Sequence, residues 1–306
     1  MIIVACPGQG SQTPGFLTEW LHDDSAKQFL ALASEQAGVD LIEHGTQSDA
    51  ETIRDTSIAQ PLIVAASLLA AQALSERVSL DGVGIAGHSV GEFAAAAIAG
   101  VLNDGDALRL VGVRGRAMAE AATRESTGMS AVVGGVETDV LAAIEQAGLT
   151  AANRNGGGQI VAAGALDALS QLGEHAPRGA RVIPLQVAGA FHTHYMQSAI
   201  PVLAEAAERV SASDPLRPLW SNADGSIAQS GTAFLDSLVS QIANPVRWDL
   251  CMQGFASAGI SGFIELNPAG ALTGIAKRAL KGVPSVAVKT PDDLDAAVEL
   301  ITNAGA

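Results

Sequence analysis

Residues 82–100 read Gly-Val-Gly-Ile-Ala-Gly-His-Ser-Val-Gly-Glu-Phe-Ala-Ala-Ala-Ala-Ile-Ala-Gly: a short apolar run, Ser89 set between Gly87 and Gly91, then a helix-forming stretch. Strand, serine and helix in that order predict a nucleophile elbow, the sharp turn that pushes a serine hydroxyl out of a sheet. The flanking glycines let backbone pack where a side chain would collide. The following helix aims its unpaired amides at the place where negative charge forms on an attacked carbonyl. In a chain with 33 glycines the bare pattern arises by accident, so its weight comes from the strand before it and the helix after it.

Composition bounds what surrounds this turn. The 306 residues suffice for one large domain or two moderate ones, and 48% apolar against 16% charged residues describes a globular chain. Seventeen Lys and Arg against 32 Asp and Glu give a net charge of -15. That balance excludes nucleic acid or an anionic membrane as a general electrostatic partner, and an acidic protein partner would need a local basic patch. The two cysteines, Cys6 and Cys251, are far apart and have no metal-ligand spacing, which fits a reducing compartment. The start, Met1 to Pro7, has no basic leader and too short an apolar run for a signal peptide. No stretch is expected to approach the length of a membrane span, and the expected location is the cytoplasm.

Outward from the elbow, residues 1–6 read as a buried parallel strand and 7–16 as a loop carrying Gly8-Gln9-Gly10-Ser11-Gln12. Helical patterns cover about 24–37 and 59–77, and the elbow strand covers 83–87. Apolar strands alternating with helices predict an α/β fold, a hydrolase-like core with a parallel sheet covered on both faces. The stretch 128–187 parses by itself as strand 129–134, helix 137–147, strand 150–154, strand 159–164, helix 166–174 and strand 181–187. That order, βαββαβ, predicts a ferredoxin-like subdomain. The expected division is a catalytic domain of 1–127 and 188–306 with residues 128–187 inserted. In its second half, helices are expected near 195–211, 231–243, 248–258, 271–280 and 291–303, with short strands near 218–221, 261–266 and 285–288.

A serine nucleophile needs a base. His22, His44 and His175 lie in polar stretches, and the side chain of His88, next to the elbow serine, points away from it, which gives it a structural role. The loop Gly189-Ala190-Phe191-His192-Thr193-His194 remains, where the chain re-enters the larger domain. Residues alone do not choose between His192 and His194. On the helical pattern from Asp104, Ala107, Val111, Arg114 and Met118 share an apolar stripe, whereas Arg109 and Arg116 fall on a solvent face. A guanidinium keeps its charge on burial, so Arg114 must meet an anion: either an internal carboxylate such as Glu92 or one on a substrate. The glycine-rich loop at 8–12 is either a tight turn or the source of a second backbone donor for an oxyanion.

Taken together these residues resemble the malonyl-CoA:acyl carrier protein transacylases of bacterial fatty acid synthesis. The likeness runs through Pro7 to Gln12, Gln60-Pro61, Gly87 to Glu92, Arg114-Gly115 with Met118, Asn153-x-Asn155 with Gly158 to Val161, Gly189 to His192, Asn244-Pro245-Val246 and Pro268 to Leu272. The resemblance implies Ser89 as nucleophile and His192 as base, with the backbone amides of Gln9 and Val90 as oxyanion hole. It implies that Arg114 clamps the malonyl carboxylate, that the backbone carbonyl of Gln241 orients the histidine, and that no triad acid is needed. Phe191, Asn155 and His88 would line the cleft for substrate and pantetheine, the Phe191 form of the loop going with malonyl rather than bulkier branched units.

No cofactor and no metal are implied, malonyl-CoA being the substrate and acyl carrier protein the partner. For an acidic carrier, the densest basic group is Lys277, Arg278 and Lys281, with Arg116 and Arg154 as possible additions. The expected assembly is a monomer. The alternatives are malonyl loading for polyketide synthesis or for a malonate decarboxylase, a serine thioesterase or esterase, and a carrier-binding protein without catalysis.

Overall fold

The computed structural model describes residues 1–304. Among them the strands are β1 Ile2–Cys6, β2 Gly84–Gly87, β3 Thr127–Gly134, β4 Thr150–Gly156, β5 Gln159–Ala165, β6 Ala180–Pro184, β7 Leu219–Trp220, β8 Gly262–Glu265 and β9 Ser285–Ala287. The helices of the first half are α1 Asp24–Ala37, α2 Leu41–Thr46, α3 Thr56–Ser75, α4 Gly91–Ile98, α5 Asp104–Ala122, α6 Glu137–Gln146 and α7 Leu166–Glu174. Those of the second half are α8 Ile200–Ala207, α9 Gly231–Ser240, α10 Trp248–Ser257, α11 Ala271–Ala279 and α12 Leu294–Ala304.

The larger sheet has the order β7-β2-β1-β8-β9 and every pairing in it is parallel. All five residues of β1 are buried, and the reason is two-sided cover. Ile2, Val4 and Cys6 belong to an apolar cluster with α3 and α5, while Ile3 and Ala5 belong to another with Trp220, Trp248, Phe255 and Phe263. A strand buried on both faces must read as a continuous apolar run, as Ile-Ile-Val-Ala-Cys does.

The smaller sheet is antiparallel in the order β4-β5-β3-β6, and α6 and α7 cover one of its faces through Val140, Ile144, Leu169 and Leu172. The molecule is therefore α/β, with a hydrolase-like parallel core and a ferredoxin-like antiparallel unit between its halves.

Several expected boundaries shift for identifiable reasons. The strand expected to 187 ends at Pro184, which has no N–H to continue a ladder. The helix expected over 195–211 is a 3-10 turn, His194–Ala199, followed by α8, with Pro201 in the first turn of α8. The short helix α2, capped by Asp40, was not expected. One expectation is overturned. At 20 residues, with mean hydropathy 1.6 over an 18-residue window, α3 has the length and composition of a membrane span. It is apolar all round because it is a core helix: 78% of that window is buried within the protein.

The functional consequence of the parallel sheet is geometric. Ligands in open α/β sheets bind outside the carboxyl ends of the strands. Here the loops after β1, β2, β7 and β8 all emerge at that edge, and the smaller unit stands over it.

Candidate active site

Strand β2 ends at Gly87 and α4 begins at Gly91, so His88, Ser89 and Val90 make the turn. A Cβ on Gly87 would strike the backbone of Gly91, and one on Gly91 would strike the carbonyl of Cys6, so the crossing exists only with glycine at both positions. Ser89 sits at the apex with φ of 53°, a left-handed conformation unusual for serine, and His192 has φ of 62°. Two strained residues face each other: Ser89 Oγ lies 2.7 Å from His192 Nε2.

Of the two histidines in the loop, His194 is exposed and stacks on Tyr195, whereas His192 is 3% exposed. His192 Nδ1 is 2.8 Å from the backbone carbonyl oxygen of Gln241. A carbonyl only accepts, so Nδ1 carries the proton and the Nε2 lone pair faces the serine hydroxyl. Burial pushes the imidazole pKa down to about 3, and the nearby Arg114 charge adds to the effect. Protonation would remove the lone pair, and a lowered pKa moves that loss to more acid solution. The rate of Ser89 acylation is expected to stay flat from about pH 7 to about pH 5, without the inflection near 6.5 of a free imidazole. Stopped-flow acylation across that range checks it.

The backbone donors follow from what is already used. The Ser89 N–H donates to Asn222 Oδ1 at 2.7 Å, which leaves the Val90 N–H as the first of α4 with no acceptor among the described residues. The loop after β1 is pinned from outside: Gln9 Nε2 donates to the Arg54 carbonyl and Gln12 Nε2 to that of Ile53. The Gln9 N–H is likewise left without a protein acceptor among the described residues.

Arg114 is 1% exposed, as its apolar stripe requires, and Gly115 lets α5 approach α3 against the carbonyl of Thr56. Its guanidinium does not pair directly with Glu92. Nη1 donates to Gln60 Oε1 at 2.7 Å and Nη2 to Gln241 Oε1 at 2.9 Å, with Phe93 beneath at 5.8 Å. Glu92 is reached only through the Gln241 amide, and it also accepts the Asn222 N–H at 2.6 Å. Burial pushes its carboxyl up to about 8, against the opposing pull of those hydrogen bonds and of Arg114.

Ser89, His192, Arg114, Gln9, Val90, Phe191, Asn155 and His88 all line one cavity of about 270 Å³, together with Met129, Ala131 and Val161 of the smaller sheet. His88 turns away from the serine, as expected: its Nε2 is 2.8 Å from Asn155 Oδ1 and its ring meets Trp248 edge-on. A larger hollow of about 580 Å³ lies elsewhere, lined by Glu19, Asp23, Glu76 and Asp292 among others. Its Ser25 and His22 are not hydrogen-bonded to each other, His22 instead lying 3.4 Å from Glu19, and its four carboxylates against Arg77 would repel an anionic acyl donor.

Asn222 was missed by sequence reasoning. Beyond its contacts above, its Nδ2 donates to the Gly87 carbonyl at 2.6 Å, so one side chain holds the strand end and the apex of the elbow. The available signal was its place, a polar residue just after a short strand at the carboxyl edge of the sheet. Of the basic residues, Lys277, Arg278 and Lys281 are exposed on and just after α11, whose Ala271, Leu272 and Ile275 face the cavity. Arg154, a possible addition, is instead drawn to Glu137 and Asp249, and Arg116 donates to the Ala37 carbonyl on α1.

Residues 4–297 match the family of the acyl transferase domain. The chain is 52% identical over 297 residues to the malonyl CoA-acyl carrier protein transacylase of Mycobacterium tuberculosis, covering 96% of this chain and 98% of that one. It is 32% identical to the protein of that name from Escherichia coli K12, covering 96% and 97%. The crystal structure of MCAT from Mycobacterium tuberculosis superposes with a TM-score of 0.94 over 97% of this chain and 99% of that one. A malonyl-transacylase solved in complex with its type II PKS acyl-carrier protein, 31% identical, superposes at 0.91 over the same shares.

Proposed function

This chain belongs to the acyl transferase domain family, and from its site we propose that it carries malonyl from malonyl-CoA to the pantetheine thiol of acyl carrier protein. The observation that carries the reading is one cavity holding a serine–histidine pair beside a buried arginine with no carboxylate partner.

In the first half-reaction Ser89 Oγ attacks the thioester carbonyl while His192 Nε2 takes its proton. The oxyanion lies between the N–H groups of Gln9 and Val90. The tetrahedral intermediate collapses with loss of the CoA thiolate, which takes the proton from His192 and leaves a malonyl ester on Ser89. In the second, His192 accepts the proton of the carrier thiol, the thiolate attacks the ester, and Ser89 leaves with that proton. The sequence is ping-pong and, ester and thioester being close in energy, reversible. Arg114 holds the free carboxylate throughout, and the Gln241 carbonyl keeps His192 in one tautomer, so no aspartate is required. His88, Asn155 and Phe191 shape the cleft wall along the pantetheine arm.

Residues 1–127 with 188–306 act in this reading as the catalytic domain, and 128–187 as the inserted unit that closes the cleft. One chain supplies every group, which supports a monomer, and buried free thiols at Cys6 and Cys251 fit the cytoplasm. No step calls for a cofactor. Incubation with malonyl-CoA, with and without pantetheinylated carrier, tests the reading. Malonyl-carrier is the expected product, and free malonate as the main product would make the protein a thioesterase. The pathway served is fatty acid synthesis. The likeness to a transacylase bound to a polyketide carrier supports a second use, distinguished by comparing the two carriers as acceptors.

The acidic carrier docks on Lys277, Arg278 and Lys281. Reversing Lys277 and Arg278 to glutamate is expected to raise the KM for carrier about tenfold while leaving the CoA half-reaction in place. Steady-state kinetics with the two substrates varied separately read this out.

A further inference from the structure

We propose that Gln60 is a specificity-determining residue: together with the Gln241 amide it aims Arg114 with neutral acceptors, leaving the positive charge to be compensated only by the acyl group's own carboxylate. The inference deepens the malonyl-transfer reading and rests on it.

Gln60 is 2% exposed on α3 and lines the cavity. Its Oε1 takes one guanidinium N–H at 2.7 Å and Gln241 Oε1 takes another at 2.9 Å, so two neutral oxygens fix the plane of Arg114. The remaining N–H groups are not consumed by carboxylate, and the buried Nε has no partner among the described residues. A buried charge held in this way is aligned without being cancelled, and its desolvation is repaid only when an anion arrives. An acyl chain ending in methyl repays nothing. The nearest internal acid is kept apart by the Gln241 amide, whose Nε2 bonds both the Glu92 carboxyl and the Ser89 carbonyl. Burial raises the Glu92 pKa to about 8 even against the pull of Arg114, so this carboxyl acts on the guanidinium at a distance and makes no direct pair with it.

The other end of the Gln60 amide makes only a 3.6 Å contact to Met118 Sγ. A carboxylate of the same shape could therefore replace the amide with little else disturbed. It would form an ion pair with Arg114 and compete with the substrate for it.

The test compares Gln60→Glu, Gln60→Met and the wild-type enzyme, with intact-protein mass reading the initial rates of Ser89 acylation by malonyl-CoA and by acetyl-CoA. The malonyl-to-acetyl ratio is expected to fall at least about 100-fold in Gln60→Glu. In Gln60→Met, which loses the aim but adds no charge, it should fall about three- to tenfold. A ratio unchanged in Gln60→Glu overturns the proposal, as does a loss in Gln60→Met equal to that in Gln60→Glu. If Gln60→Glu fails to fold, an unchanged ratio in Gln60→Met still overturns it. Wild-type protein that loads acetyl as readily as malonyl would instead sink the underlying reading, independently of Gln60.

Discussion

Ser89→Ala is expected to lower malonyl-carrier formation by at least about 10⁴-fold and to leave no acyl adduct after exposure to malonyl-CoA. The size of the effect follows from the division of labour at the site. Arg114 and the backbone donors of Gln9 and Val90 remain, so malonyl-CoA still binds. No covalent route remains, because the sole hydroxyl within hydrogen-bonding reach of His192 Nε2 among the described residues is gone. The fold should tolerate the change, since the turn is held by Gly87, Gly91 and Asn222 rather than by the serine hydroxyl. A malonyl adduct on Ser89→Ala would place the nucleophile elsewhere. His192→Ala is expected to fall nearly as far, since the two residues act as one unit and their losses do not add.

Arg114→Ala is expected to reduce the preference for malonyl over acetyl by at least about 100-fold. A hydrogen bond to a charged group contributes about 1.5–3 kcal/mol, and a bidentate carboxylate receives two. At about 1.4 kcal/mol per tenfold, even the lower figure exceeds two orders of magnitude. The substitution also strands the side-chain oxygens of Gln60 and Gln241, at about 1–3 kcal/mol each, so some loss of stability accompanies it. The malonyl-to-acetyl ratio is insensitive to that loss, because both substrates meet the same folded fraction. An equal fall with both acyl groups would show that Arg114 supports the fold and does not read the carboxylate.

The site was unevenly legible. Ser89 announced itself because an elbow is written in contiguous residues, its two glycines answering a backbone crossing only a few positions long. Arg114 could be read from a helical period that set a charge among Ala107, Val111 and Met118. Asn222 had no comparable signature: it is one polar residue in a loop, and its importance lies in bonding the elbow from 133 positions away. The fate of Arg114 was likewise hidden, since Gln60 and Gln241 come from elements 54 and 127 residues distant. The span-like length and composition of α3 went unread, and they could not have assigned the helix by themselves, because apolarity on all sides reports burial without saying whether protein or lipid does the burying.

By itself the sequence determined the features whose physics is local or periodic: the elbow, the βαββαβ order of the smaller unit, the apolar central strand and the acidic charge that demands a basic patch for an acidic partner. The residues alone left His192 and His194 open, and the family resemblance chose His192 and the Gln241 carbonyl; only the tertiary structure decided that the ring meets Ser89 Oγ at 2.7 Å and that carbonyl at 2.8 Å, and that Arg114 is left with neutral partners. These are long-range meetings, several made by backbone groups that every residue carries. The identities of the residues therefore do not encode them, and they exist only once the parallel sheet brings its loop ends to one edge.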